Sequence, residues 1–418
     1  MKSHHSILII GGGTAGIMTA AQLLKHDEGF DIAIIEPSNT HYYQPAWTLV
    51  GAGTYDYAHT AKPMQDVMPE GVTWIKDFAT GFDPENNVVE TENKGSVGYD
   101  FLIVAPGLVM APELIEGLPE ALERGVAVSN YINPNKVWEA IQHFKGGNAL
   151  FTQPTTPIKC GGAPQKIAYL AADHFRKSGL DSKTKLIFAT PGSVIFGVKP
   201  IKNTLEHVLD RYGIHFRPFY APFKIDPERK VVYFKTNDNN AFSDEENAQL
   251  KIVKQTENIV EVPFDLLHLA PPQTAPKFVK ESKLVNDAGW LDVDIHSMQH
   301  KKFKNVFGLG DVAALPTAKT GAAIRKQVPV VVDNLLKIRR GKEASNHSYN
   351  GYSSCPLVTG YGKMVLAEFD YENNFTPDPK LKQMLVFDSS KEHWRLWILK
   401  KYILPYLYWN KMLKGQDV

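Results

Sequence analysis

The N-terminal residues alternate between short apolar runs and a helical pattern of apolar positions. An apolar run at residues 6–10 leads directly into the glycine-rich turn GGGTAG at residues 11–16. Residues 17–24 then carry apolar side chains at helical spacing, and a second apolar run covers residues 31–36. This order predicts a strand–turn–helix–strand unit, the building block of a parallel sheet covered by helices.

Similar patterns continue along the chain and predict a second unit of the same kind. Further strands are predicted by these runs: 74–84, 86–91, 99–107, 148–154, 185–192 and 305–313. Further helices are predicted at 167–179, 204–214 and 321–341. We therefore predict an α/β protein with two Rossmann-like domains. Its predicted parts are a first domain built from residues 1–112 and 276–341, a second, degenerate dinucleotide-type domain at 113–275, and a C-terminal segment at 342–418.

Composition narrows the classes of protein that this chain can represent. Of 418 residues, 43% are apolar and 22% are charged, as in a globular protein of two or three domains. The 46 basic and 45 acidic residues leave a net charge of +1, which gives no indication of nucleic-acid binding. Two cysteines are too few for a disulfide scaffold or a four-thiolate metal site, and no metal is predicted. No apolar stretch is long enough to span a membrane, and the N-terminal run is too short for a cleaved signal.

The first turn has the spacing of a dinucleotide-binding motif. Gly11, Gly13 and Gly16 form GxGxxG between the predicted strand and helix. These glycines permit a tight turn, a close approach to a pyrophosphate and close packing of the helix, whose N-terminus attracts the anion. Glu36 follows the next strand, where a carboxylate accepts hydrogen bonds from ribose hydroxyls. The pattern therefore predicts a dinucleotide site here.

The second unit has no such motif. The turn after its first strand reads TQPTTPIKCGGAPQK, with three prolines and no GxGxxG. Proline lacks an N–H donor and stiffens the loop, so this turn is poorly suited to a pyrophosphate. The second unit of a two-domain protein of this architecture would normally bind NAD(P)H. A single-chain NADH:quinone dehydrogenase, the nearest alternative by architecture, is therefore disfavoured.

A cysteine stands in that turn instead. Cys160 follows Lys159 and precedes a helix start marked by Pro164, with Lys166 nearby; this setting predicts a lowered thiol pKa. Cys355 lies in the predicted loop GYSSCPLVTGYG. A disulfide between Cys160 and Cys355 would close a very long loop, and sequence alone cannot establish it. The alternative to such a pair is two unrelated buried cysteines.

Two later motifs resemble those of known flavoproteins. VFGLGD at 306–311 resembles the late strand of the disulfide-reductase superfamily, in which the aspartate holds the ribityl chain of FAD. YDFLIVAPG at 99–107 resembles the middle FAD motif of that superfamily, although Pro106 replaces the usual small or hydroxylated residue. We therefore predict FAD as the dinucleotide.

Five further blocks resemble sulfide:quinone oxidoreductase, in particular its two-cysteine branch, which includes the mitochondrial enzyme. They are CGGAPQKIAYL (160–170), YYQPAWTLVGAG (42–53), LPTAKTGAAI (315–324), SSCPLVTGYGKMVLAEFDY (353–371) and LPYLYWNKMLKG (404–415). The likeness covers about residues 6 to 415, and a third cysteine used in other branches is missing.

This resemblance implies a redox pair formed by Cys160 and Cys355, with the persulfide on Cys355 and the Cys160 thiolate at the flavin. Electrons from hydrogen sulfide would pass through noncovalent FAD to a membrane quinone, and the sulfur would go to glutathione, sulfite or a polysulfide. The implied FAD contacts, beside the glycine motif, are Thr14, Ala15, Glu36, Gln44, Ala79, Asp311 and Lys319. Lys326 is the alternative to Lys319.

The C-terminal stretch 393–415 combines three tryptophans and three tyrosines with several bases. Pro405 predicts a break into two short amphipathic helices that lie in the surface of a bilayer, with Trp394, Trp397 and Trp409 in the interface. We expect a peripheral membrane protein, with the cytoplasmic face favoured and a homo-oligomer possible. An apolar tail packed on its own domain is the alternative. A non-catalytic flavin-binding redox sensor also remains open as a function.

Overall fold

The computed structural model describes residues 3–26, 29–237, 242–344 and 349–417. Its first sheet has seven strands in the described part of the chain. The strands, in spatial order, are Thr73–Ile75, Ile32–Ile35, His4–Ile10, Ser96–Val104, Val88–Thr91 and Ala79–Asp83, and Val306–Gly308 also pairs with Ser96–Val104. The central strands are parallel, with Ile9 opposite both Ile34 and Ile103.

The second sheet is parallel throughout its five described strands. In spatial order they are Ala127–Val128, Leu266–Leu269, Gly147–Thr152, Thr184–Ala189 and His215–Arg217. An antiparallel sheet beside it contains Ala221–Asp226, Val231–Lys235, Ile259–Pro263 and Val253–Thr256. Three two-stranded pairs are Thr40–Tyr42 with Ala61–Pro63, Val109–Met110 with Gln273–Thr274, and Ser353–Gly360 with Lys363–Phe369.

The helices cover the faces of these sheets. The α-helices are Thr14–Leu23, Trp47–Val50, Met64–Val67, Leu118–Glu123, Pro134–His143, Ala163–Lys177, Lys199–Tyr212, Asp244–Gln249, Lys277–Lys280, Gly321–Arg339, Trp394–Ile398 and Leu404–Asn410. The mixed α/β prediction is confirmed. The exact division of the chain into domains stays a prediction.

Several local predictions need correction. The predicted strand 74–84 is two strands separated by a loop. The polar stretch 237–249 has the composition of a solvated hairpin tip and was expected to be one, but it contains the helix Asp244–Gln249, capped by Ser243. Residues 238–241 of that stretch lie outside the described residues. Cys355 lies in the strand Ser353–Gly360 and not in a loop. Its neighbour Pro356 is tolerated because this is a two-stranded pair with free edges.

The C-terminal helix is continuous, contrary to the predicted break at Pro405. Trp394–Ile398 leads through a wider π-helical turn, Leu399–Ile403, directly into Leu404–Asn410. Proline lacks the N–H for a regular helical bond, and a π turn just before it accommodates this without ending the helix. Among the residues described, no helix has the length and apolar character needed to cross a membrane.

The C-terminal helix packs on both major cores. Leu396 and Trp397 join the core that contains Cys355, and Tyr408 and Trp409 join the core of the first sheet. Of the three tryptophans predicted to enter a bilayer, Trp397 and Trp409 are therefore buried in the protein. Only Trp394 is exposed, because the first residue of this helix projects beyond the core.

Candidate active site

The glycine motif forms the N-terminus of the helix Thr14–Leu23. Gly11 has φ +100°, and a Cβ there would overlap the Ala105 carbonyl oxygen, so this position requires glycine. A Cβ at Gly16 would overlap the Gly11 carbonyl oxygen. A Cβ at Gly13, the N-cap, would meet no heavy atom within 4 Å. No side chain caps this helix, and the space beside Gly13 is open, which fits a pyrophosphate.

Glu36 lies at the end of the neighbouring strand and reaches back to this turn. Its Oε2 accepts a hydrogen bond from Gly12 N (2.7 Å), and its Oε1 accepts one from Ser38 N (2.7 Å). Burial raises the pKa of Glu36, against the opposing effect of these two bonds. The carboxylate therefore anchors the glycine turn from the side where a ribose would lie.

Asp311 and Lys319 lie together on the far side of the same site. Burial raises the pKa of Asp311, which Lys319 and Lys159 oppose, and the charge of Cys160 raises it further. Lys319 Nζ donates to the carbonyl oxygens of Asp311 (2.6 Å) and Ala313 (3.1 Å), and burial lowers its pKa to about 8. Lys326, the alternative lysine, is exposed.

The two cysteines meet although 195 positions separate them in the sequence. Their side chains are hydrogen-bond partners, and no disulfide joins them in the structure. A Cβ added to Gly162 would lie 2.6 Å from Cys355 Sγ. Gly162 is the N-cap of the helix Ala163–Lys177, so Cys355 covers the helix end where a second dinucleotide would otherwise bind.

The backbone holds Cys160 in an unusual conformation. Its φ is +50°, in the left-handed region that a residue with a side chain rarely adopts. Its N–H donates to the Lys319 carbonyl (2.7 Å), and its carbonyl accepts from Ala163 N (2.7 Å) and the Tyr131 hydroxyl (3.2 Å). These bonds fix the direction of the thiol and tie it to the cluster around Lys319.

Unequal surroundings give the two thiols different charges. The hydrogen bond from Cys355 and the positive charges of Lys166 and Lys400 hold the pKa of Cys160 well below its usual range. Lys166 Nζ donates to Cys160 Sγ at 3.0 Å. The bond to Cys160, together with burial, raises the pKa of Cys355 well above its usual range. Cys160 is therefore the thiolate and Cys355 the protonated partner.

Of the two lysines predicted to stabilise the Cys160 thiolate, only Lys166 contacts it. Lys159 interacts with Asp311 instead. The second cation is Lys400 in the π turn, whose Nζ donates to the Pro45 carbonyl (2.7 Å). Burial and the nearby Lys166 lower the pKa of Lys400 to about 7. Sequence reasoning missed Lys400, and its position in an apolar C-terminal stretch was the only available signal.

The remaining predicted residues lie at several distances from this centre. Thr14 and Ala15 form the first turn of the glycine-motif helix, and the Ala15 Cβ is 3.5 Å from a Cβ built on Gly310. Gln44 begins a short 3₁₀ turn and is exposed beside Pro45. Ala79 begins the edge strand Ala79–Asp83 and lies opposite Thr91.

Comparison with known proteins identifies the family. Residues 5–332 match the family described as pyridine nucleotide-disulphide oxidoreductase. The chain is 39% identical over 416 residues to the mitochondrial sulfide:quinone oxidoreductase of Mus musculus, covering 99% of this chain and 87% of the relative. The corresponding protein of Dictyostelium discoideum is 40% identical, with 100% and 87% covered. The chain belongs to the sulfide:quinone oxidoreductase family.

A solved structure supports the same fold. The sulfide:quinone oxidoreductase from Aquifex aeolicus superposes with a TM-score of 0.77 at 20% identity, covering 100% of this chain and 92% of that chain. The predicted family is thus confirmed, and with it a FAD-dependent oxidoreductase as the class of protein.

Proposed function

We propose that this protein oxidises hydrogen sulfide and reduces a membrane quinone, using noncovalently bound FAD. The observation that carries this proposal is the pairing of Cys160 and Cys355 at the N-terminus of the helix Ala163–Lys177. Lys166 and Lys400 supply positive charge to the same site. A charged thiolate beside a neutral thiol is the arrangement that thiol–disulfide chemistry requires.

The open helix N-terminus at Gly13 suits the phosphates of FAD, and Glu36 suits its ribose. Further residues proposed to hold the cofactor are Gly11, Thr14, Ala15, Gly16, Gln44, Ala79, Asp311 and Lys319. FAD, when bound, accepts two electrons from the thiols and passes them to the quinone. Both cysteines are engaged with each other, so neither is free to bind the cofactor covalently.

In the proposed reaction, HS⁻ attacks Cys355 Sγ in a Cys160–Cys355 disulfide. A new S–S bond forms on Cys355, the old one breaks, and Cys160 leaves as a thiolate with the electron pair. Lys166 stabilises this leaving group by its 3.0 Å contact, and Lys400 adds a second positive charge. A nucleophilic acceptor (glutathione, sulfite or a polysulfide) then takes the outer sulfur from Cys355. Loss of two electrons from the two cysteines, which FAD would relay to the quinone, re-forms the disulfide. With a thiol acceptor, the net change converts sulfide, thiol and quinone into a persulfide and a quinol.

The proposed membrane contact is the exposed side of the C-terminal helix. We define this aromatic face as Trp394, Tyr402, Ile403 and Tyr406, and the residues Trp394 and Tyr406 are 58% and 59% exposed. Exposed aromatic residues beside lysines are typical of proteins that bind the surface of a bilayer. The cytoplasmic face and a homo-oligomer stay predictions.

Removal of the whole C-terminal segment is not a clean test of this face. The segment also carries Lys400, which acts on the cysteines, and Tyr408, which packs in the core of the first sheet. We instead expect the triple substitution Trp394→Gln, Tyr402→Gln, Tyr406→Gln to reduce sedimentation with liposomes and activity with long-tailed quinones. Activity with short soluble quinones should persist. Leu114→Gln changes an exposed apolar residue elsewhere and serves as the control. Undiminished sedimentation of the triple variant would contradict the assignment.

Anaerobic titration of the flavin-loaded protein tests the proposed activity. Sulfide should bleach the flavin absorbance at stoichiometric amounts, and NADH should leave it unchanged. We expect no reaction with NADH because Cys355 Sγ lies at the helix end at Gly162, where a second dinucleotide would bind. Bleaching by NADH alone would indicate an NADH:quinone dehydrogenase, and bleaching by neither donor would indicate a non-catalytic flavin protein.

A further inference from the structure

The C-terminal helix is hydrogen-bonded to the glycine turn through two side chains. The buried Tyr408 hydroxyl lies 2.8 Å from Thr14 Oγ1 and 2.6 Å from His41 Nε2. On its other side, His41 Nδ1 lies 3.1 Å from the Gly12 carbonyl oxygen. The chain Thr14–Tyr408–His41–Gly12, which we call the C-terminal relay, thus begins and ends on the same turn.

Chemistry fixes the direction of each hydrogen bond in this relay. His41 is buried, and burial lowers its pKa to about 4, so the imidazole is neutral and carries one N–H. The Gly12 carbonyl can only accept, which places that proton on Nδ1. Nε2 must then accept from the Tyr408 hydroxyl, and Tyr408 in turn accepts from the Thr14 hydroxyl.

The relay also fixes the orientation of the Gly12–Gly13 peptide. Its carbonyl is held toward His41, and in a trans peptide the N–H points in the opposite direction. The Gly13 N–H therefore faces away from His41. A Cβ at Gly13 would meet nothing within 4 Å, so space for a ligand adjoins this N–H.

The last residues of the chain reinforce this contact. Lys25 Nζ donates to the Gly415 carbonyl (2.6 Å), and a Cβ on Gly415 would lie 2.8 Å from the backbone carbon of Ala21. Lys25 follows the glycine-motif helix directly, and Ala21 lies within it. The C-terminus is thus fitted closely along the same helix whose first turn the relay touches.

We propose that Tyr408 and His41 are positioning residues for the phosphates of FAD, so that the C-terminal segment completes the cofactor site. They act through Gly12 and Thr14 by holding the Gly13 N–H toward the anion. This inference rests on the proposed function, because it takes FAD as the dinucleotide.

Titration of the apoprotein with FAD tests this proposal. Because Tyr408→Phe removes two neutral hydrogen bonds, the dissociation constant for FAD should rise roughly five- to tenfold. His41→Leu should have a similar effect, and the two substitutions together should cost little more than either alone. Tyr99→Phe removes a hydroxyl that is buried without a partner and should leave the constant unchanged.

A spectroscopic readout separates positioning from general stability. The phosphorus NMR signals of bound FAD should shift in Tyr408→Phe and His41→Leu and stay unshifted in Tyr99→Phe. Tyr408→Phe keeps the ring that packs on Tyr43, so it decides the question even if His41→Leu fails to fold. Wild-type affinity and unshifted signals in Tyr408→Phe would overturn the inference. If the wild-type apoprotein itself bound no FAD, the proposed function would fail instead.

Discussion

The two Rossmann-like units use the same structural element for different ligands. In each, a parallel strand leads to a helix, Thr14–Leu23 in the first and Ala163–Lys177 in the second. The first helix end is open at Gly13, and the second is covered at Gly162 by the sulfur of Cys355. The N–H groups and dipole of a helix end favour any anion. The first end is thus available to a phosphate, whereas the second is covered by the neutral thiol of Cys355, the hydrogen-bond partner of the Cys160 thiolate.

The charges around the two helix ends differ accordingly. The first is faced by His41, which burial keeps neutral, whereas the second is faced by the cations Lys166 and Lys400. A phosphate is already an anion when it binds, but a thiol becomes one only by losing a proton. Positive side chains at the second end favour this deprotonation by lowering the pKa of the thiol.

Removal of either cysteine should have the largest effect. Cys160→Ser and Cys355→Ser should each lower sulfide–quinone turnover by more than about a thousandfold, and the double variant should lose little more, because the two thiols act as a unit. Steady-state assays with decylubiquinone measure this. Cys355→Ser should also leave a Cys160 thiolate that gives a long-wavelength absorption band with the flavin. Ordinary turnover in Cys355→Ser would contradict the two-cysteine mechanism. If the band appears in Cys160→Ser and not in Cys355→Ser, the roles of the two cysteines must be exchanged.

The neutrality of His41 should appear in the pH dependence of stability. Burial lowers its pKa from 6.5 to about 4, so its stabilising contribution is complete above pH 6.5 and is lost as the pH falls toward 4. The difference in free energy of unfolding between wild type and His41→Gln should therefore shrink by about 3 kcal/mol over that range. Urea unfolding at a series of pH values measures it, and parallel curves for the two proteins would contradict the assignment.

Alanine substitutions can separate the two helix ends. In Gly162→Ala the new Cβ would press on Cys355 Sγ and the Leu357 side chain, so turnover should fall roughly ten- to a hundredfold with normal FAD content. Gly161→Ala is the matched control, because a Cβ there meets nothing within 4 Å. Gly13→Ala should do the reverse and weaken FAD binding. Flavin content and turnover are measured on all three proteins. Loss of FAD in Gly162→Ala would contradict the separation of the two helix ends into a cofactor site and a thiol site.

Loss of one cation at the second helix end should have the smallest effect. Lys166→Met removes the charge that helps to keep the pKa of Cys160 low, so the pKa should rise. Alkylation of the reduced protein by iodoacetamide near neutral pH should slow roughly tenfold. Lys177→Met, on the exposed side of the same helix, is the control. An unchanged pH profile of alkylation would contradict the assigned effect of Lys166 on this pKa.

Local patterns predicted more of the first helix end than of the second. The glycine spacing and Glu36 were evident because a phosphate turn is built from adjacent residues. The helix itself begins at Thr14, earlier than the predicted 17, because the glycine in its first turn is tolerated there. At the second end, Cys160 and Lys166 could be predicted from their neighbours. Cys355 was expected in a loop because serine, glycine and proline surround it, but these residues are tolerated in a two-stranded pair.

The sequence by itself determined the α/β class, the dinucleotide turn and, by resemblance, the two cysteines and their family. Each depends on residues close together in the chain or on blocks that keep their order. The tertiary structure alone decided that Lys400 faces the thiols, that Lys159 turns to Asp311, and that Tyr408 closes on Thr14 and His41. Side chains hundreds of positions apart are brought together by packing of the C-terminal helix on both cores, and no local pattern of residues encodes which of them will meet.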